Sequence, residues 1–411
     1  MSFVNPQAAD LAVSPEVADK IQRRSLIVGV VAAVLCVIGL VLNPAQFMRS
    51  YLLGFMFWIG ISLGCMAILM LQHLSGGRWG LVIRRQLESA ARNIPLMALF
   101  FVPLLLGVRT LYPWANQAML QSNEGLRHAV EHNHLYLNWT GFALRAVFYF
   151  AGWSAIAYTL HRWSIMEDLE ESREVRRQLR GRFQGLSGGG LVFYGLTITF
   201  ASIDWVMSLD PQWASTIFGI LILGGQGLSA MAFAIAITAI LARHQPMKDV
   251  MKPQFFQDLG TMMLAFVMLW AYFSFSQFMI IWSGNLVDEI PWYLRRLRGG
   301  WQAIALLLLL FHFVLPFMLL LSRDIKRRAR TLVVVAVMVL AARYIDLFWL
   351  IAPNFQDTRA TLSAHWLDLA APVAIGGIWL ASFFRNLKQQ PLLPLHDPQL
   401  AEVLETENAR A

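Results

Sequence analysis

Thr199–Ala242 reads TFASIDWVMSLDPQWASTIFGILILGGQGLSAMAFAIAITAILA. One apolar run closes near residue 207, a polar turn follows at Asp210-Pro211-Gln212-Trp213, and a second apolar run extends to residue 242. Asp followed by Pro fits an N-cap with proline at the first helical position. Each run reaches the roughly 20 residues that a helix needs to cross a bilayer. Asp204 lies inside the first run, where an ionised side chain costs roughly 2.5–3.5 kcal/mol on the insertion scale, so it marks a functional candidate.

The same pattern recurs along the chain. Apolar residues make up 57% and charged residues 14%, against about 25% charged in a soluble domain. Ten spans are expected, at 25–42, 51–71, 94–112, 139–161, 189–207, 214–242, 256–283, 301–321, 331–352 and 366–385. A lipid-exposed backbone must satisfy its own hydrogen bonds, so the spans are read as helices. The expected fold is an all-α integral membrane domain over 25–385, with polar tails at 1–24 and 386–411.

The net charge of +8 is topogenic rather than a nucleic-acid footprint. Most of the 33 Lys and Arg fall in alternate loops: Lys20 to Arg24, Arg78 to Arg92, Arg162 to Arg182, Arg243 to Lys252, Arg323 to Arg330, and Arg385, Lys388 and Arg410. The other loops hold only Arg49, Arg127, Arg295, Arg296, Arg298 and Arg359, with Arg109 at a span end. The positive-inside bias then places both termini in the cytoplasm. Met1–Lys20 lacks the basic start and short apolar core of a cleavable signal.

Cys36 and Cys65 both lie in apolar runs, too few for an iron–sulfur cluster and consistent with packing. EDLEESREVRRQLRGR (Glu167–Arg182), acids first and arginines last, suits a cytoplasmic helix aligned with its dipole. The glycines of Gly185–Gly190 read as a hinge into the fifth span. A weak repeat is visible. Ser50 to Gly54 and Ser215 to Gly219 open the second and sixth spans, and small residues follow each (Gly60 and Gly64; Gly224, Gly225 and Gly227). Asp204 precedes Pro211, and Asp346 precedes Pro353, by the same interval. Spans two to five and six to nine are therefore expected as two parallel four-helix bundles, with spans one and ten outside them.

Several polar residues lie at membrane depth. Arg145 and Asp204 fall at similar depth on successive antiparallel spans, and pairing is the least costly way to keep both in a low dielectric. They form either a structural lock or a proton acceptor, Asp204, tuned by Arg145. Arg343 and Asp346 are i,i+3 neighbours. With His312 and Gln277 they offer a second route for protons, while Gln226 reads as interhelical glue. The loop Asn285–Arg298, with Trp292 and Tyr293, can cover a pocket or anchor at the interface. His128, His132 and His134 have a spacing that permits a metal, though no metal site is expected. Only His312 is deep enough for a haem ligand, so no b-type haem is expected. There is no phosphate-binding loop of the G-x-x-x-x-G-K-[ST] type.

Beyond these readings, Thr199–Gly219, Trp270–Glu289, Phe311–Arg328, His132–Phe150 (HNHLYLNWTGFALRAVFYF) and Asp346–Pro353 (DLFWLIAP) resemble the quinone-binding F-type subunit of alternative complex III. The wider group is the polysulfide-reductase, NrfD-like family of membrane anchors. The resemblance implies a membrane subunit of a quinol:electron-acceptor oxidoreductase in a bacterial inner membrane. It implies menaquinol or ubiquinol as a diffusible substrate and no haem or iron–sulfur cluster in this chain. The partners it implies are a paralogous ten-span C-type subunit, an extrinsic iron–sulfur subunit, c-type haem subunits and a terminal oxidase. On this reading Asp204 accepts a proton and Arg145 tunes it. Trp205, Asp210, Asn138 and Gln277 line the quinone pocket, and Asp346, Arg343 and His312 carry protons. Two other readings stay open: a structural, proton-conducting subunit with a degenerate quinone site, and a secondary transporter, whose usual inverted repeats differ from the parallel one here.

Overall fold

The structure, a computed structural model, describes residues 13–355 and 361–395. Arg359, Arg410 and residues 1–12 and 396–411 of the expected tails lie outside the described residues. Regular structure among the described residues is helical throughout. We label the main helices α1 (Pro15–Leu42), α2 (Pro44–Ser75), α3 (Arg84–Leu106), α4 (Trp139–Leu169), α5 (Arg173–Trp205) and α6 (Phe218–Leu241). They continue as α7 (Pro253–Gly284), α8 (Ile290–Arg296), α9 (Trp301–Leu321), α10 (Ala329–Ile351) and α11 (Leu367–Leu387).

Nine of these are long and apolar enough to cross a membrane: α1, α2, α3, α5, α6, α7, α9, α10 and α11. The tenth expected crossing falls on α4, which has 31 residues but lacks the mean hydropathy of the others. Its sequence explains the difference, because Arg145 and many Gly, Ala, Ser, Trp and Tyr residues dilute the aliphatic ones. Its outer face is still apolar, with Leu144, Val147 and Phe148 exposed.

Several boundaries differ from expectation. Pro15 takes the first position of α1, and the next ten residues contain no Gly or Pro, so the helix begins well before residue 25. α3 starts at Arg84 rather than residue 94 and breaks at Arg92–Asn93. The break is held by Asn93, which donates to the Trp379 carbonyl (2.9 Å) and accepts from Ser382 (2.7 Å). The Gly185–Gly190 hinge does not form, since these residues lie within the continuous helix α5. Each glycine costs about 1 kcal/mol against alanine in a helix, but a backbone in or beside lipid has strong reason to stay helical. The interruption falls instead at Glu170–Ser172, where the Ser172 hydroxyl caps α5. Asp210 is not an N-cap either: α6 begins at Phe218, after a turn.

The core sits around α2 and α6, whose apolar windows are each 83% buried. They cross closely because Gly64 faces α6: a Cβ there would lie 2.2 Å from the Gln226 carbonyl oxygen. Small residues at such crossings let helix backbones approach. Around this pair, α2 packs on α3 and α5, and α4 packs on both α3 and α5. On the other side α6 packs on α7 and α10, with α9 between those two. α1 lies against α11, which in turn packs on α2 and α3.

Candidate functional site

Two buried charge pairs occupy the two sides of the α2–α6 core. In the first, Arg145 on α4 meets Asp204 on α5 in a forked contact. Nε lies 3.1 and 3.0 Å from the two carboxylate oxygens, and Nη2 lies 2.7 Å from Oδ1. Tyr149 donates to Oδ2 (3.0 Å). Arg145 also donates to the Tyr136 carbonyl (3.0 Å) and stacks over the Tyr136 ring at 3.9 Å. Asp204 is 1% exposed, and the Arg145 side chain 22%. A bidentate guanidinium–carboxylate pair with a hydroxyl on the second oxygen satisfies both charges.

The space beside Asp204 is filled. Trp205 stacks on Phe150 (5.7 Å between centroids) and contacts Phe101 (5.1 Å), Phe55 (5.6 Å) and Trp153 (6.0 Å). The three residues expected to line one pocket with Trp205 do not gather beside it. Asn138 caps α4 by accepting from the Gly141 N–H (2.7 Å). Asp210 pairs with Arg295 on α8. Gln277 lies on α7, away from Asp204.

In the second pair, Arg343 and Asp346 bond to each other one turn apart on α10, both buried. The Trp270 indole donates to Asp346 (3.1 Å), and the His312 ring lies 4.2 Å from the Trp270 ring. His312 is carried on a π-helical turn, Leu309–Val314, that widens α9; such turns recur at functional sites. Neither of its ring nitrogens makes a hydrogen bond of good geometry, and the Ala342 backbone faces it. The structure thus brings Asp346, Arg343 and His312 together around Trp270.

Beside this group lies a cavity of about 540 Å³, lined among others by Trp270, Gln277, Trp292, Phe313, Asp346 and Trp349. Gln277 is 1% exposed, and both polar atoms of its carboxamide lack a partner. A buried amide left unbonded costs about 1–3 kcal/mol, so this one is kept at a cost. The lining residues Met268, Tyr272, Phe275 and Leu309 are exposed, so the cavity opens sideways between α7 and α9.

α8 roofs this cavity, and Arg296 holds α8 in place. Fully buried, Arg296 donates to the carbonyls of Trp349 (3.1 Å), Leu350 (2.7 Å) and Trp292 (2.9 Å) and to the Asn354 side chain (3.1 Å). Its guanidinium lies 3.5 Å from the Trp292 ring and 5.7 Å from that of Trp349. Burial, with Arg295 beside it, pushes the group well below its ordinary range. The oxygens that accept from it, two of them at the C-terminal end of α10, favour the cation.

Sequence reasoning missed a third cluster. Arg84 bonds Glu88 (3.1 Å) and Glu167 (2.7 Å), Arg85 bonds Glu88 (2.9 Å) and Asp168, and Ser164 donates to Glu88 (2.7 Å). Arg84, Arg85 and Glu88 had read as a loop before span three. The i,i+3 and i,i+4 spacing of both arginines to Glu88, just ahead of an apolar run, was the available signal. Of the histidines considered for a metal, His132 ends a short helix and His134 Nδ1 lies 2.9 Å from the Glu131 carbonyl.

No family model matches the chain, and no curated protein matches it.

Proposed function

We propose that this chain is a quinone-binding, proton-handling membrane subunit of a quinol:electron-acceptor oxidoreductase of the alternative complex III type. The head group sits in the cavity between α7, α8, α9 and α10. The observation that carries the reading is the unbonded Gln277 carboxamide in an aromatic cavity that also holds Asp346. A quinone offers two carbonyl oxygens and a quinol two hydroxyls, and a carboxamide can donate to the first and accept from the second. The indole and phenyl rings suit a flat ring. The sideways opening suits an isoprenoid tail that stays in lipid.

Quinol oxidation releases two protons and two electrons. Asp346 is the proton acceptor in this scheme, with Arg343 and Trp270 holding its carboxylate and His312 beside them. The electrons leave to a partner iron–sulfur subunit and then to c-type haem subunits. Asp204, saturated by Arg145 and Tyr149, acts as the matching lock in the other half. The packing partners support two groups of four long helices, α2 to α5 and α6, α7, α9 and α10, with α4 as the tenth crossing. The basic end, with Arg84, Arg92, Arg162 and Arg385, is assigned to the cytoplasm of a bacterial inner membrane.

A second reading is favoured by the filled space around Trp205: a structural and proton-conducting subunit, with quinol oxidised in a paralogous ten-span partner. One experiment separates the two. The tagged chain is purified with its partners, which are identified by mass spectrometry and optical spectrum. A quinone analogue is then titrated by tryptophan fluorescence. Gln277→Leu is expected to weaken binding about tenfold, the worth of one hydrogen bond. Binding that is unchanged in this variant sinks the placement, and a colourless complex without c-type haem subunits sinks the oxidoreductase reading.

A further inference from the structure

At the basic end, α3 and α4 enclose a separate cavity of about 410 Å³, lined by Arg92, Pro95, Tyr158, His161, Arg162 and Met166 among others. We propose that it binds the phosphate of an anionic phospholipid, with Arg92 and Arg162 as its charge partners.

The argument starts from charge. The neighbouring cluster is balanced: Arg84, Arg85 and Arg180 face Glu88, Glu167 and Asp168. Among the described residues neither Arg92 nor Arg162 belongs to an ion pair. Arg92 donates only to neutral acceptors, the Gln389 side chain (2.8 Å) and the Asn386 carbonyl (3.5 Å). Glu88 acts on Arg92 through space, but its two oxygens are taken by Arg84, Arg85 and Ser164, and Arg385 adds a further positive charge nearby. An anion is therefore the missing partner, and two guanidinium groups suit a phosphate.

Three further observations point to a lipid as its source. Arg92 sits at the break in α3, where the apolar segment from Ile94 begins, and Arg162 sits where the apolar part of α4 ends, so both lie at headgroup level. Tyr158, Ile165 and Met166 line the cavity and are exposed, giving the acyl chains an apolar wall. The His161 Nδ1 atom is buried without a hydrogen-bond partner, ready for one more acceptor or donor. Basic residues near a membrane surface attract anionic lipid in this way. The site is independent of the quinone cavity.

The test uses the full-length chain in nanodiscs of phosphatidylcholine with rising fractions of phosphatidylglycerol. Retained lipid is read by native mass spectrometry after a detergent wash, and Tm is read alongside. The wild type is expected to keep phosphatidylglycerol and to gain Tm. Arg92→Gln with Arg162→Gln is expected to lose retention by about fivefold for each arginine. Arg162→Glu, at an exposed position that the fold does not need, must lose it too. Equal retention in wild type and variants overturns the proposal. So does equal retention of phosphatidylcholine, or displacement of the lipid by inorganic phosphate at matched concentration. A cross-link from position 162 to an acidic segment of a partner subunit, with no lipid retained, overturns it as well.

Discussion

Arg343 and Trp270 donate to the same oxygen of Asp346, Oδ2. One carboxylate oxygen thus takes a guanidinium from its own helix and an indole from α7. The other oxygen makes neither of these bonds, and Asp346 lines the cavity.

Removing the indole N–H isolates its contribution. Trp270→Phe keeps a ring against His312 but deletes the donor. A hydrogen bond to a charged group contributes about 1.5–3 kcal/mol, so unfolding in detergent should show a loss of that size. A wild-type unfolding curve would mean that the bond is not formed.

Arg145→Met leaves Asp204 buried beside Tyr149 with no cation. Breaking one side of a buried pair costs about 3–5 kcal/mol, and the partial exposure of Arg145 puts the expectation at the lower end. Arg145→Met combined with Asp204→Leu should recover most of the loss. A double variant no better than the single would show that the pair does more than neutralise itself.

Glu88→Gln tests the cluster at the basic end. The substitution keeps a side chain that can bond but leaves Arg84 and Arg85 short of negative charge. A loss of about 3–5 kcal/mol is expected, measured by thermal unfolding. Partial recovery when Arg84→Met is added would support the charge explanation.

Arg296→Ala removes a buried cation that does not itself line the cavity but holds Trp292 and Trp349, which do, and so frees both to shift. Affinity for a quinone analogue should fall together with Tm, whereas Gln277→Leu should lower affinity and leave Tm unchanged or slightly higher. If Arg296→Ala lowers Tm with affinity intact, α8 does not shape the cavity.

The helices were legible because length and apolar content determine a bilayer crossing residue by residue, and α6 needed little else. The Arg145–Asp204 pair was legible because depth along two antiparallel helices predicts contact. The cavity was not, since its rings come from four separate elements: Trp270 on α7, Trp292 on α8, Phe313 on α9 and Trp349 on α10. The surroundings of Trp205 were not legible for a related reason. A tryptophan beside a buried aspartate looks alike in sequence whether it faces open space or, as here, is surrounded by Phe55, Phe101 and Phe150. Glu88 escaped notice because a charged segment before an apolar run resembles a loop until Glu167 and Asp168, far along the chain, fold onto it.

α1 is largely uncovered except where it meets α2 and α11, and against α11 the two backbones nearly touch: a Cβ at Gly377 would lie 2.4 Å from the Cα of Gly29. The first of the described helices therefore meets the last of them backbone to backbone, with most of the chain between them. Such a contact cannot form until both helices have been made, so the face of α1 that carries Gly29 stays open to lipid while the helices between them are synthesised.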